Sequence, residues 1–327
     1  RENMYVIPTE TEDYVLKPMN CPGHMLIYRT RVRSYRDLPL RLAEWGTVYR
    51  LERSGVLHGM MRVRGFTQDD AHIFCTEEQI EEEVHRVVTL SLKMLRTFGF
   101  EDFRVDLSVR DPRHKEKYIG EDRQWDLAER SLLSVLERLG LPFTRAEGEA
   151  VFYGPKIDIK LSDSLGREFQ CSTCQFDFNE GQRFDLYYMG QDGQHHPVYL
   201  VHRTALGGIE RFMGILVEHY AGAFPTWLAP VQVKVLTVTD KDTTYAREVF
   251  ECLHRGKIRV EIDERNDKIG YKIAEAERLK IPYMFVTGGR EAQTRTVAVR
   301  KRGRTDLGPM PLESALTLVQ EDANKPG

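Results

Sequence analysis

The chain has no run of about eighteen apolar residues, so no membrane span is expected. It has no internal repeat and no low-complexity segment, which sets aside solenoids and disordered arrays. Cysteine is scarce. Cys21, Cys75, Cys171, Cys174 and Cys252 are scattered and odd in number, which argues against a disulfide scaffold and for a reducing, cytoplasmic compartment. Neither sign of charge dominates: 47 Lys+Arg stand against 50 Asp+Glu, a net −3. Bulk charge therefore demands no polyanionic partner, although a local basic patch can serve one. The sequence opens RENMYVIPTE, without an initiator Met or a signal peptide, and reads as a fragment.

What is present is the composition of a globular protein, 41% apolar and 30% charged over 327 residues, enough for two domains. A seam lies at AGAFPTWLAPVQV, residues 221–233, where two prolines and a Trp separate a helix-like stretch from a β-branched run. We therefore divide the chain into residues 1–225 and 226–327. Downstream, strand and helix patterns alternate: VQVKVLTVT, TYAREVFECLHRGK, IRVEIDE, IGYKIAEAERLK, PYMFVTG, RTVAVRKRG and PLESALTLVQEDA. That alternation predicts a small three-layer α/β domain with a mixed sheet. Upstream, the helical patterns EEQIEEEVHRVVTLSLKMLRTFG and DRQWDLAERSLLSVLERLG interrupt long strand-like stretches joined by hairpin turns. This half reads as α+β, a large antiparallel sheet flanked by helices.

The stretch MRVRGFTQDDAHIFC, residues 61–75, carries the most chemistry. At period two, Arg62, Arg64, Phe66, Gln68, Asp70, His72 and Phe74 share a face, and mostly small or apolar residues, with Thr67 and Asp69, share the other. The preceding RLAEWGTVYRLERSG sets Arg50 and Glu52 on one face of a first strand, able to pair with it. Arginine suits phosphate because its planar fork donates paired hydrogen bonds. The simpler reading is a solvated face with incidental aromatics. Two short pairs, CPGH (Cys21, His24) and CSTC (Cys171, Cys174), tempt a metal reading, but zinc takes three or four protein ligands. In CSTC, positions three apart on a strand point to opposite faces.

These stretches carry a resemblance. RLAEWGTVYRLERSG…MRVRGFTQDDAHIF resembles motif 2 of the class II aminoacyl-tRNA synthetases, and LGGIERFMGILVE, residues 206–218, resembles motif 3. With KPMNCPGH, FYGPKID and VHRTALGGIERF, the whole chain is similar to the threonyl-tRNA synthetase family. The resemblance implies a class II catalytic sheet followed by an anticodon-binding domain. It implies a threonine–tRNA ligase that uses ATP with Mg2+ and has L-threonine and tRNA(Thr) as partners. It implies one Zn2+ held by Cys21, His72 and His202, with His24 left to a structural or supporting role, and a position open for threonine's amino and hydroxyl groups. ATP is expected at Arg50, Glu52, Arg62, Phe66, Gln170, Thr173 and Arg211. Threonine is expected at Met19, Gln68, Asp70, Tyr153 and Gln175. Arg50, Arg62, Arg211 and Lys156 are the expected catalytic cations, and Asn266, Glu291 and Arg300 the anticodon readers.

Some details do not follow from the pattern. Arg62 to His72 spans about 33 Å as an extended strand, enough for an aminoacyl-adenylate laid along it. Arg64 lies on the same face by alternation but has no assigned role. In EFQCSTCQFDF, Thr173 and Gln175 share a face but Gln170 does not, so its role requires a bulge. Arg211 is expected at a helix start, off an apolar stripe of Ile209, Phe212, Met213, Leu216 and Val217. The family's motif 1 and N-terminal editing domain are not found; a homodimer is the expected assembly of the full-length protein. Two rivals are a related class II enzyme for another amino acid, such as proline or serine, and a non-catalytic tRNA-binding paralogue.

Overall fold

The computed structural model describes residues 3–325. The chain divides into two compact units after Leu216.

The first unit is built on a seven-stranded sheet. Its strands are β3 (Leu40–Tyr49), β4 (Gly65–Cys75), β5 (Arg104–Val109), β6 (Thr144–Glu147), β7 (Lys156–Ser162), β8 (Glu168–Asp177) and β11 (Tyr199–Gly208). They lie in the order β3-β4-β11-β8-β7-β5-β6. Every neighbouring pair is antiparallel except β5 with β6, so the expected antiparallel sheet ends on a parallel pair. Two short ribbons lie outside it, β1 (Val6–Pro8) with β2 (Asp13–Val15) and β9 (Tyr187–Met189) with β10 (His195–Pro197).

The two long helices follow the predicted patterns. In α2 (Ile80–Thr97), Val84, Val87, Val88, Leu92 and Leu95 form the buried stripe. Glu81, Glu82 and Glu83 in its first turn and Arg96 in its last complement the helix dipole. In α3 (Asp122–Arg138), Glu121 and Gln124 form a reciprocal cap, and Trp125, Leu132, Val135 and Leu136 are buried. α2 packs on β11 and β8, and α3 on β5, β8 and α2.

A third helix, α1 (Cys21–Arg29), was hidden by its short length. Pro22 in its first turn presets the helical φ, and Met25 and Tyr28 pack with Phe74 and Leu200 of the sheet. That docking sets Cys21 at the helix start against β4 and β11. The short α4 (Glu180–Arg183) follows β8, and α5 (Ile209–His219) follows β11. On α5, Phe212, Ile215 and Leu216 are buried, whereas Met213 and Val217 are exposed, so the stripe is narrower than the sequence suggested.

Four motif residues, Arg50, Glu52, Arg62 and Arg64, lie outside the strands expected for them. β4 starts at Gly65 and β3 ends at Tyr49. Arg62 therefore sits in a turn bridged from His58, and Arg50 continues the ladder by donating its N–H to the Arg64 carbonyl at 2.8 Å. Arg64 turns away and donates from Nε to the Glu52 carbonyl.

The second unit has a five-stranded sheet in the order β13-β12-β14-β15-β16. β12 (Val233–Thr237), β13 (Val260–Asp263) and β14 (Tyr283–Thr287) are parallel; β15 (Thr296–Lys301) and β16 (Thr305–Pro311) continue antiparallel. One face packs Val235, Phe285 and Val299 against α6 (Thr243–Arg255) and α9 (Leu312–Ala323), through Val249 and Ala315. The other packs Leu236 and Met284 against Ala276 of α7 (Ile269–Arg278). This is the expected three-layer mixed sheet. The pattern missed α8 (Gly289–Thr294), which is short, and β16, whose glycine and two prolines suit only an edge strand.

Candidate active site and metal centre

Antiparallel register turns the alternation of each strand into rows that cross the sheet. One row runs Leu42, His72, His202, Gln175, Lys156, Ser108 across β3, β4, β11, β8, β7 and β5. The next runs Glu44, Asp70, Thr204, Thr173, Asp158, Asp106. Eleven of these twelve positions, all but Leu42, are polar residues that are buried or half-buried beside each other, an arrangement that costs stability unless it serves a ligand or is fully hydrogen-bonded.

Cys21, His72 and His202 form one candidate metal group, with ligand atoms all within 4.8 Å of one another and all three residues buried. Cys21 Sγ faces His202 Nδ1 at 3.6 Å. His202 Nε2 lies 3.0 Å from Asp177 Oδ2, which orients the ring and leaves Nδ1 toward the cysteine. His72 Nε2 is buried with no hydrogen-bond partner. A buried polar atom without a partner beside a thiol and an imidazole nitrogen is the donor set zinc takes, so the residues fit the ion the resemblance implies. Burial, then the neighbouring His202 and His24, hold His72 well below the ordinary imidazole value, as a lone-pair donor requires. Asp177, Glu180 and His202 form a second group of possible ligand atoms. Asp177 already accepts the N–H groups of Asn179 and Glu180, which makes it the orienting carboxylate. CSTC contributes to neither group. Cys171 and Cys174 are buried, and burial pushes the Cys171 thiol up to about 12.

A cavity of about 320 Å3 lies farther along β4. Arg50, Glu52, Arg62, Phe66, Gln170, Thr173 and Arg211, the seven residues expected around ATP, all line it, as does Gln68. The Arg50 guanidinium lies 5.2 Å from the Phe66 ring centroid. Arg62 pairs with Glu52 at 3.0 Å. Arg211 is anchored by its donations to the carbonyls of Met61 and Gln170, and burial, with Arg62 and Arg50 nearby, pulls its pKa down. Gln170 reaches this cavity because β8 bulges: Ile159 faces Ser172 and Lys160 faces Gln170, so Cys171 is the extra residue.

The floor of the cavity is shaped by a second bulge. The register of β11 against β4 shifts between Thr204 and Gly208. Asp69 holds that bulge by accepting the N–H groups of Ala205, Leu206 and Gly207, and it pairs with Arg203 at 3.0 Å. Gly207 has φ +75° and passes hard against the Cys171 carbonyl, a path only glycine follows easily. Alternation set Asp69 on the back face, and nothing in the sequence announced its role.

Asp70, Tyr153 and Gln175 lie around the metal group. Asp70 is buried and accepts from Asn20 Nδ2 at 3.1 Å. The Tyr153 ring lies 6.3 Å from that of His202. Gln175 Nε2 is buried without a partner. Met19, by contrast, is exposed and lines a separate, mostly apolar cavity with Asn20, His24 and Glu44. Lys156 is held by Asp158 at 2.5 Å, and the same carboxylate accepts from Gln170 Nε2 at 2.6 Å and Thr173 Oγ1 at 3.0 Å. Asp158 and Asp177 are thus supports the sequence reading missed. Their signal was parity, since each shares a face with an expected site residue on its strand.

In the second unit, Asn266 follows β13 and Glu291 lies on α8 after β14, both past the C-terminal ends of parallel strands. Arg300 lies on β15 opposite Met284 and pairs with Asp306. Glu291 also caps its own helix by accepting the Gly288 N–H.

The chain matches the class II tRNA synthetase core domain family (G, H, P, S and T) over residues 5–220 and the anticodon binding domain family over residues 232–322. It is 51% identical over 322 residues to a threonine–tRNA ligase of Sulfurihydrogenibium sp., covering 98% of this chain and 50% of that protein. It is 53% identical to one of Caldanaerobacter subterraneus subsp. tengcongensis, covering 99% and 50%. The chain therefore spans about half the length of the curated relatives it matches. Among solved structures, the RNA binding domain of threonyl-tRNA synthetase from Cryptosporidium parvum superposes with a TM-score of 0.91 at 38% identity, covering 98% of this chain and 80% of that one. A prolyl-tRNA synthetase from the same organism shares the fold, with a TM-score of 0.71 at 18% identity. On the matched sheet, the paired motifs and these relatives, the chain belongs to the threonyl-tRNA synthetase family of class II aminoacyl-tRNA synthetases.

Proposed function

We propose that the chain is the catalytic and anticodon-binding portion of a threonine–tRNA ligase, with residues 1–225 catalytic and residues 226–327 binding the anticodon through Asn266, Glu291 and Arg300. ATP enters with Mg2+, the threonine carboxylate attacks its α-phosphate, pyrophosphate leaves, and the threonyl group passes to the 3′-terminal adenosine of tRNA(Thr). No protein nucleophile is needed. Arg50, Arg62 and Arg211 converge on one cavity, where they neutralise phosphate charge as it shifts toward the leaving group. Phe66, on the strand between the two ends of the site, offers its face to adenine. Lys156, held by Asp158, stands in the same cross-strand row as His72, His202 and Gln175.

Cys21, His72 and His202 would hold zinc. When bound, the ion supplies a Lewis-acidic position for the amino and hydroxyl groups of threonine. Asp70, kept in place by Asn20, is the carboxylate beside that position, and Tyr153 and Gln175 close the pocket. A site built to engage a hydroxyl rejects the analogue lacking it by about 10⁴-fold or more, whereas an apolar pocket separates isosteres poorly. The observation that carries this reading is the buried thiol–imidazole–imidazole group with a partnerless nitrogen. ATP–pyrophosphate exchange with threonine, valine and serine tests it. Exchange with threonine, none with valine, and loss of both zinc and exchange in Cys21→Ser are expected. Equal exchange with valine would overturn the discriminating role.

A further inference from the structure

His72 is buried, and its two ring nitrogens have different surroundings. Nε2 is buried with no protein partner, one ring nitrogen of His72 groups with ligand atoms of Cys21 and His202, and the His72 and His202 rings meet edge to face at 4.7 Å. Nδ1 lies 2.8 Å from Nδ1 of His24. His24 is buried as well, and its Nε2 lies 3.3 Å from Glu44 Oε1. Glu44 Oε2 in turn lies 3.9 Å from Lys17 Nζ. The two imidazole rings meet edge to face, 4.9 Å between centroids.

Burial favours a neutral His24, and for a neutral ring one assignment of protons suits these contacts. Glu44 Oε1 is an acceptor 3.3 Å from His24 Nε2, which favours the hydrogen on Nε2. His24 Nδ1 is then the acceptor, so His72 Nδ1 must carry hydrogen and donate to it. That leaves a lone pair on His72 Nε2, the nitrogen without a protein partner. The opposite assignment would set the His24 Nε2 lone pair against a carboxylate oxygen and leave a buried N–H on His72 Nε2 with no acceptor, both unfavourable.

We infer that His24 and Glu44 are positioning residues that lock His72 in its Nδ1–H tautomer, presenting Nε2 as a metal ligand before the ion arrives. The helix start explains the placement. Pro22 and Gly23 begin α1, so Cys21 and His24 lie one turn apart on the same side of it. One helix therefore brings both a ligand and the support for a second ligand. Glu44 reaches them because β3 pairs with β4, with Glu44 opposite Asp70 and one step from the row of His72. His202 has the matching arrangement on its other side, where Asp177 accepts from Nε2 and Nδ1 is left toward Cys21.

This inference rests on the zinc reading above. The test is Zn2+ affinity of the full chain, measured by competition with a chromophoric chelator, with Co2+ ligand-field bands as a second readout. The variants are His24→Ala, His24→Asn, Glu44→Ala and Cys21→Ser. Loss of an orienting partner of a ligand histidine weakens metal binding about 10–100-fold, and that is expected for His24→Ala. His24→Asn sets an amide oxygen where Nδ1 was, restores the acceptor and is expected to bind within about threefold of wild type, with the wild-type cobalt spectrum. Glu44 is half-buried at the sheet edge, so Glu44→Ala serves where His24→Ala does not fold, and weakening of about tenfold is expected. Wild-type affinity in His24→Ala or Glu44→Ala would overturn the inference, as would His24→Asn behaving like His24→Ala, which marks a packing role. Zinc uptake lost in Cys21→Ser but untouched by the other variants would leave the metal site standing and remove the relay alone. A wild-type chain that takes up no zinc would overturn both.

Discussion

The Asp69 carboxylate accepts the backbone N–H of Gly207 at 3.0 Å, tying together residues 138 positions apart. Asp69 lies on the back face of β4, yet through this bond and those to Ala205 and Leu206 it shapes the cavity on the front. Burial raises its carboxyl above the usual range, and the three N–H groups and Arg203 draw it back. Asp69→Ala leaves buried donors without an acceptor, at a cost of about 1–3 kcal/mol for such a group. Urea denaturation is expected to show a loss in that range, with a raised KM for ATP and little change in KM for threonine.

Gly46 and Asn20 make the corresponding pair beside the metal group. A Cβ on Gly46 would overlap the Asn20 side chain, which holds Asp70 at 3.1 Å. Gly46→Ala is expected to displace Asn20 and release Asp70. A lost buried hydrogen bond of about 1.4 kcal/mol corresponds to tenfold, so KM for threonine rises about tenfold while KM for ATP stays within twofold. Pyrophosphate exchange with each substrate varied in turn separates the two.

Asp158 serves three site residues at once, Lys156, Gln170 and Thr173, and Ser108 Oγ lies 3.4 Å from it as well. Asp158→Ala frees a lysine, an amide and a hydroxyl together. Loss of kcat beyond that of Thr173→Ala is expected, and the double variant should fall short of the sum, because both changes act on one network. Strict additivity in rapid-quench activation assays would show the contacts to be independent.

The second unit is expected to be acid-sensitive through Asp263. Its carboxyl lies below the usual range, chiefly because Arg265 binds it, with the buried Lys272 nearby. A carboxyl depressed in the folded state contributes stability above its unfolded value of about 3.9 and loses it as pH falls through the folded value. Unfolding followed from pH 6 downward should show stability falling below about pH 3.9. Asp263→Asn should be less stable at pH 6 and lose less on acidification.

Local pattern determined much of this protein. The periodicities of residues 80–97 and 122–138 specify helices, the alternation after residue 230 specifies a three-layer α/β unit, and Phe66, Gln68, Asp70 and His72 occupy one strand face by parity alone. Motif likeness named the candidate residues. Tertiary structure decided what those residues do together. Strand register joined His72, His202, Gln175 and Lys156 into one row, and bulges in β8 and β11 brought Gln170 and Gly208 to the cavity. The supports Asp69, Asp158, Asp177 and Glu44 emerged only there. Periodicity reports which face a side chain takes within its own element. Which element lies opposite, and whether a carboxylate finds an N–H 138 residues away or an imidazole 25 residues away, depends on cross-strand hydrogen bonding and core packing that no local window contains.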